Sequence, residues 1–322
     1  MRFSSALACA ALVGASGLAS ADRFDPRRVA QGAAWVAHVD VERLAASELY
    51  SVLSEGGTLR LEDQVEELAE LGVDPLKDLK SVTLYGVGER SVVMLLGNER
   101  LDGALERLKA AGEYRREELD GKPLHVFGED CWVAVLAREG STDRLVVQAD
   151  DRASVKLACD VLEGRARSLG SSEAGAKRFV PGEGSMLFAA ANERLEALDG
   201  LELGSNVVRL AEELVLDLGE ARGELFASLA LTAKDAREAT QLLQVLQGAT
   251  ALVGLVAGED PEVGRVLRDL VGGLRFSTEG ERVRAEFRMS TRLLLDHLRA
   301  LEVLEAEDKA PEPRRREKSA GK

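Results

Sequence analysis

The feature that most constrains this chain is a hydrophobic period that switches repeatedly between two and 3.6, each switch marking a change from strand to helix. Residues 34–39 alternate as a strand and run straight into a helix over 41–53, which Gly56-Gly57 breaks. A second helix carries Leu61, Val65 and Leu68 on one face and ends at Gly72, where a left-handed cap is wanted. Residues 81–87 and 91–96 form two strands around Gly88-Glu89-Arg90, a hairpin signal. Asn98 caps a helix whose apolar stripe is Leu101, Leu105 and Leu108. Strands follow at 114–118 and 123–127, turning on Asp120-Gly121, then at 131–137 and 145–148, and a helix over 152–162 closes this half.

The order then repeats. Residues 185–191 read as a strand leading into a helix at Glu193. Strands at 214–218 and 224–231 flank the turn Ala221-Arg222-Gly223, and a long helix follows from Asp235. Asp260-Pro261 starts another helix, with the cap and the first-turn proline in their preferred places. Strands at 274–277 and 282–289 pair around Glu279-Gly280, and a helix over 291–304 ends the domain. The fold expected is α+β, with two tandem similar halves, each a mainly antiparallel sheet with helices on one face. Each half begins in the strand-helix-strand-strand-helix-strand order of a ferredoxin-like unit. The boundaries that follow are a first half over 22–163, a linker of Gly, Ser and charge over 164–184, and a second half over 185–304.

The beginning of the chain is a secretory signal. Met1-Arg2 is a short positive region, residues 3–18 are apolar and uncharged, and Ala19-Ser20-Ala21 places small residues where a signal peptidase reads. Cleavage is expected between Ala21 and Asp22. The apolar run is shorter than the about 20 residues a membrane span needs. Reading Cys9 as a lipoprotein cysteine would leave too short an apolar region before it. Export to the periplasm or the extracellular space is the address this predicts.

Composition limits the partners. The full chain has 42 basic and 56 acidic residues, a net charge of −14. Removal of residues 1–21 takes away one basic residue, Arg2, and no acidic one, so the balance shifts further negative. A chain of that sign is repelled by nucleic acid and by anionic lipid. At 4% aromatic residues it also lacks stacking platforms for single strands. No second apolar run reaches spanning length. A soluble protein without nucleic-acid partners is expected.

Signatures of chemistry are sparse. Of three histidines, His38 and Asp40 lie two apart on one strand and so point the same way, a metal pair only if a further ligand joins them. His297 shares a helix face with Leu293, Leu294, Leu298 and Leu301 and reads as a structural histidine; His125 stands apart from both. Gly170-Ser171-Ser172-Glu173-Ala174-Gly175 is not a nucleophile elbow. Gly86-Val87-Gly88 and Gly182-Glu183-Gly184 read as turn and linker glycines, and Glu212-Glu213 as a solvated acidic pair. Glu-Arg-Leu at 42–44, 99–101 and 193–195 begins helices, with Glu suiting the helix dipole. Cys131 and Cys159 are the one pair left after cleavage that a disulfide could join; two buried thiols are the alternative, weighed slightly above the bridge. No catalytic residue, cofactor or metal site is expected. The tail over 305–322, Pro- and charge-rich with Arg314-Arg315-Arg316, is expected to be disordered.

Residues 34–40, the run Gly72-Val73-Asp74-Pro75-Leu76 through Lys80-Ser81-Val82-Thr83, and Leu119-Asp120-Gly121-Lys122-Pro123-Leu124 resemble the layout of uncharacterised exported bacterial proteins of a domain-of-unknown-function type. The resemblance covers residues 30–165. It implies a signal-bearing protein with no established activity and carries no functional residues. The function expected is that of a non-enzymatic binding or scaffold protein of the envelope or extracellular space, its partner an envelope protein or polymer. The alternative is a hydrolase built from scattered carboxylates.

Overall fold

The computed structural model describes residues 23–55, 68–137, 140–172, 179–192, 211–256 and 261–308. The signal segment with Ala21 and Asp22, the residues Leu61 and Val65, the helix expected at Glu193 and the arginine-rich tail lie outside them. Among the described residues twelve strands form one sheet. They are β1 (Ala33–Asp40), β2 (Leu79–Val87), β3 (Arg90–Gly97), β4 (Tyr114–Leu119), β5 (Lys122–Phe127), β6 (Cys131–Ala137), β7 (Arg144–Ala149), β8 (Ser185–Ala191), β9 (Ala211–Ala221), β10 (Glu224–Ala233), β11 (Leu274–Glu279) and β12 (Arg282–Ser290). The helices are α1 (Val41–Ala45), α2 (Glu48–Glu55), α3 (Pro75–Asp78), α4 (Arg100–Ala111), α5 (Arg152–Leu162), α6 (Ala236–Val256), α7 (Pro261–Gly273) and α8 (Thr291–Asp308).

The strands lie in the order β11-β12-β10-β9-β8-β1-β2-β3-β7-β6-β5-β4. Every neighbouring pair is antiparallel. Two expectations are corrected here. The halves do not build two sheets, because β1 and β8 pair with each other from Trp35↔Ala191 to Val39↔Leu187 and fuse the strands into one. Nor is the connectivity ferredoxin-like. That order sets two parallel strands side by side, whereas here β1, β2 and β3 are consecutive antiparallel neighbours. Outward from the β1–β8 seam the strands run 1-2-3-7-6-5-4 on one side and 8-9-10-12-11 on the other.

Turn chemistry fixes the hairpins. Asp120-Gly121 and Arg222-Gly223 both take positive φ at two consecutive positions, the twist that a two-residue antiparallel turn demands. Gly88 and Gly280 serve the β2–β3 and β11–β12 turns in the same left-handed region. The single helix expected over 41–53 is two, α1 and α2. Ser47 separates them, donating its hydroxyl to the Leu44 carbonyl and accepting the Tyr50 amide in its place as a new cap. At the chain's far end, α8 continues to Asp308, beyond the limit expected at 304.

Helices lie on both faces, not one. The front face carries His38, Tyr85, Met94 and Val147. Over it α5 packs Val155, Ala158 and Cys159, and Phe24, Val29 and Leu169 join the same core. The back face carries Val39, Val82, Val93 and Leu95, covered by Leu101 and Ala104 of α4. Further along, the back face presents Leu214, Leu231 and Val283 to Ala239 and Leu242 of α6. The described parts of the 164–184 segment are tied to the fold. The Ala30↔Ser168 bridge, the Leu169 amide on the Val29 carbonyl at 2.8 Å and the buried Phe179 ring hold them.

Candidate functional site

The front face differs between the two sides of the seam. Beyond β2 its strands offer Val92, Met94, Leu145, Val147 and Ala149 to α5, which reaches this face because it follows β7 directly and folds back. Beyond β8 the helix that follows β12 is α8, which packs on α2, β12 and, through His297 Nε2 at 3.1 Å from Asp269, on α7. There the front face is a groove of about 520 Å³, lined by strand residues and the 180–183 segment.

The groove is built on glycine. Gly219 of β9 pairs with Phe226 of β10, and a methyl group on it would fall 2.6 Å from the Phe226 ring and 2.3 Å from the Gly184 carbonyl oxygen. The absent side chain lets the ring lie flat and the 182–185 segment cross above it. Asp217, the next front-facing residue of β9, holds that segment by accepting the Gly182 amide at 2.7 Å and the Ser185 hydroxyl at 2.6 Å. Phe188, Val215, Phe226 and Ala230 form a buried apolar floor. Phe24 stacks on Phe188 at 5.0 Å on the same front face, at the seam.

Along β12 the front-facing positions are Arg282, Arg284, Glu286 and Arg288, alternate residues about 7 Å apart. Arg288 lies 5.6 Å from the Phe226 ring centroid, a cation–π arrangement. Arg284 pairs with Glu286 at 3.3 Å, and Arg222 at the β9–β10 turn pairs with Glu183 at 3.0 Å. Arg282 is different. Its Nε is shut from solvent without a hydrogen-bond partner among the described residues. Burial and the neighbouring Arg284 charge both pull its guanidinium below the usual arginine range, against the weaker pull of Glu279. Neither Arg282 nor Arg288 has an acidic side chain in ion-pair contact among the described residues.

The residues singled out from sequence lie elsewhere, in structural roles. His38 Nδ1 is 2.8 Å from Thr83 Oγ1 across β1 and β2, and Asp40 caps α1 by accepting the Arg43 amide at 2.9 Å. His125 Nδ1 meets the Tyr114 hydroxyl at 3.1 Å, and burial, then Lys109 and Arg116, lower its pKa. Cys131 is half-buried at the start of β6, and Cys159 is buried on the sheet-facing side of α5; both are free thiols. Glu213, expected in a solvated pair, is buried on β9 with its Oε1 3.5 Å from the Thr232 hydroxyl. Gly86, expected in a turn, is a strand residue paired with Trp35. Among the described residues no group of three or more His, Cys, Asp or Glu side chains converges as a metal site would require. Among them, too, no helix is long and apolar enough to cross a membrane.

The groove itself was not anticipated, although its signal stood in the sequence. Arg282-Val283-Arg284-Ala285-Glu286-Phe287-Arg288 alternates charge with apolar residues, the pattern of a strand whose second face meets water.

No family model and no curated protein matches the chain. Among solved structures, it is similar to TP0453. That protein, from Treponema pallidum, matches in three crystal forms, III, IV and I, with TM-scores of 0.48, 0.43 and 0.40. The identities are 13%, 12% and 12%, over 85%, 86% and 87% of this chain and 98%, 97% and 98% of TP0453. At such identities and scores the likeness to TP0453 says nothing of what either chain does.

Proposed function

We propose that this chain is an exported, non-enzymatic binding protein of the envelope or extracellular space, and that its partner, an envelope protein or polymer, sits on the front face beyond β8, where no described helix residue lines the groove. The sheet is read as two repeats, β1-β2-β3-β7-β6 and β8-β9-β10-β12-β11, joined through their first strands. What supports that reading is the matching order of the first five strands on either side of the seam, with β5 and β4 added beyond β6 in the first repeat. The observation that carries the functional reading is the contrast between equivalent surfaces. The front face of the first repeat is apolar and roofed by α5, while that of the second holds a groove with four arginines over buried phenylalanines. Buried aromatic residues beneath charged, partly desolvated groups are the composition of a recognition surface more than of an ordinary solvated sheet.

The test is site-specific photo-crosslinking in the producing cell. A benzophenone side chain at Ser228, in the middle of the groove, is expected to capture a discrete adduct in the exported fraction, and one at Arg116 on the edge strand β4 is not. Adducts of equal yield at both positions, or at neither, would defeat the proposal.

A further inference from the structure

Resting on the reading of this face as a binding surface, we infer that what the partner presents to the groove is a small amphiphilic anionic group. A single carboxylate or phosphate head is received between Arg282 and Arg284, and an apolar body lies along β10 toward Phe226 and Arg288.

Most acidic groups around the groove are already engaged. Asp217 is used in holding the 182–185 segment, Glu183 in pairing Arg222, and Glu286 in pairing Arg284. Arg282 has no such partner among the described residues, and its Nε is cut off from water as well. A guanidinium that has lost part of its hydration next to a second guanidinium is costly to keep. An oxyanion placed between the two would accept from their terminal N–H groups and offset the repulsion between the charges, and a planar fork matches a carboxylate or phosphate edge.

The register then sets the ligand's length. Arg284 stands opposite Ala230, Glu286 opposite Ser228 and Arg288 opposite Phe226. The floor from Ala230 to Phe226 spans four residue steps, about 13 Å. That length suits one head and a body of drug-like size, and about 520 Å³ is a volume of the same scale. Glu224 and Glu286 along the same wall oppose a second negative charge in the body, so a monoanionic head is favoured over a polyanionic chain. Val215 and Ala230 give the body an apolar surface, and the Phe226 ring, held between Gly219 and Arg288, gives an aromatic one.

Calorimetric titration of the protein purified from the exported fraction tests this. The probes are 4-phenylbutyrate, 4-phenylbutyl phosphate, 4-phenylbutan-1-ol, 4-phenylbutylamine and inorganic phosphate. At least one of the two phenylalkyl anions is expected to bind. The tighter of the two identifies the head as carboxylate or phosphate. The alcohol and the amine should bind at least about tenfold more weakly, the cost of leaving a charged donor unmet. Arg282→Gln should weaken the anion about tenfold or more, Arg282→Lys should restore part of that, and Arg116→Gln should change nothing. Circular dichroism confirms that each variant folds. Equal binding of the alcohol would overturn the inference, since the guanidinium pair would then read no charge. Equally tight binding of inorganic phosphate would overturn the apolar half of it. If no probe binds, the inference fails outright, while the crosslink at Ser228 still reports separately on whether this face is used.

Discussion

Trp35 lies so close over Gly86, its partner across β1 and β2, that a methyl group built on the glycine would fall 2.1 Å from the indole Nε1. Both residues face the back of the sheet, where Trp35 packs against the core under α6. The glycine is there for steric reasons and not for its backbone freedom. Gly86→Ala is expected to lower stability by about 1–3 kcal/mol, the cost of overpacking a filled site. Urea unfolding measures it; an unchanged midpoint would mean that the indole has room to move. Gly88→Ala meets no neighbouring atoms, and its smaller cost would come from its φ of +62° alone.

Asp151 caps α5 by accepting the Ala153 amide at 2.8 Å, the Ser154 amide at 3.0 Å and the Ser154 hydroxyl at 2.6 Å. Burial alone would raise its pKa, but the bonds from Ser154, the Arg90 charge and the Ala153 amide outweigh that and hold it below the ordinary value of 3.8. The stability this lowered pKa supplies is fully present above the ordinary value and is lost as pH falls through the depressed one. Asp151→Ala should therefore cost about 1 kcal/mol at neutral pH and much less in strong acid. Thermal melts of both proteins across that range check the convergence.

Phe24, the second described residue, is stacked on Phe188 and lies 5.6 Å from the His38 ring. It is buried at the seam where β1 meets β8. Phe24→Ala should cost about 3 kcal/mol, as aromatic truncation in a core does. Because Phe188 is also part of the groove floor, the same change should weaken any ligand bound there. A stability loss confined to small fractions of this value would show the ring to be dispensable.

The thiols offer a chemical check. Burial, then Asp150 and Asp130, push the Cys131 pKa up to about 11, and burial raises that of Cys159 as well. At pH 8 Cys131 should react with a disulfide reagent about a hundredfold more slowly than an open cysteine, since only the thiolate attacks. Cys159 should react only on unfolding. In denaturant both should titrate at once; a denatured protein with no free thiol would mean that the two are bridged.

Local structure was largely legible in the sequence. The alternation of 185–191 and 282–289 and the turns at Asp120-Gly121 and Arg222-Gly223 appear where their chemistry puts them, since strand period and left-handed turns are short-range properties. What could not be read was which strand lies beside which. Alternation assigns Trp35 and Val39 to one face, but nothing within residues 33–40 says that their other neighbour is β8. Faces were hidden for a related reason. The strand Ser91 to Leu96 is nearly all apolar because α4 covers one side and α5 the other, and a run without alternation names no exposed face. The groove's arginines were visible as a strand pattern. Their meeting with Phe226 and Phe188 depends on pairings between distant segments.

The seam has a consequence for the order in which the molecule can be finished. β1 is the earliest of the described strands, yet one of its two edges is satisfied only by residues 187–191. Throughout synthesis of everything between, that edge stands open in the middle of the nascent molecule, its amide and carbonyl groups available to any other extended segment. The early portion is therefore not a self-sufficient unit waiting for an appendage. A truncated chain ending before residue 185 should associate with copies of itself or bind a chaperone, because the strand that would close it has not yet been made.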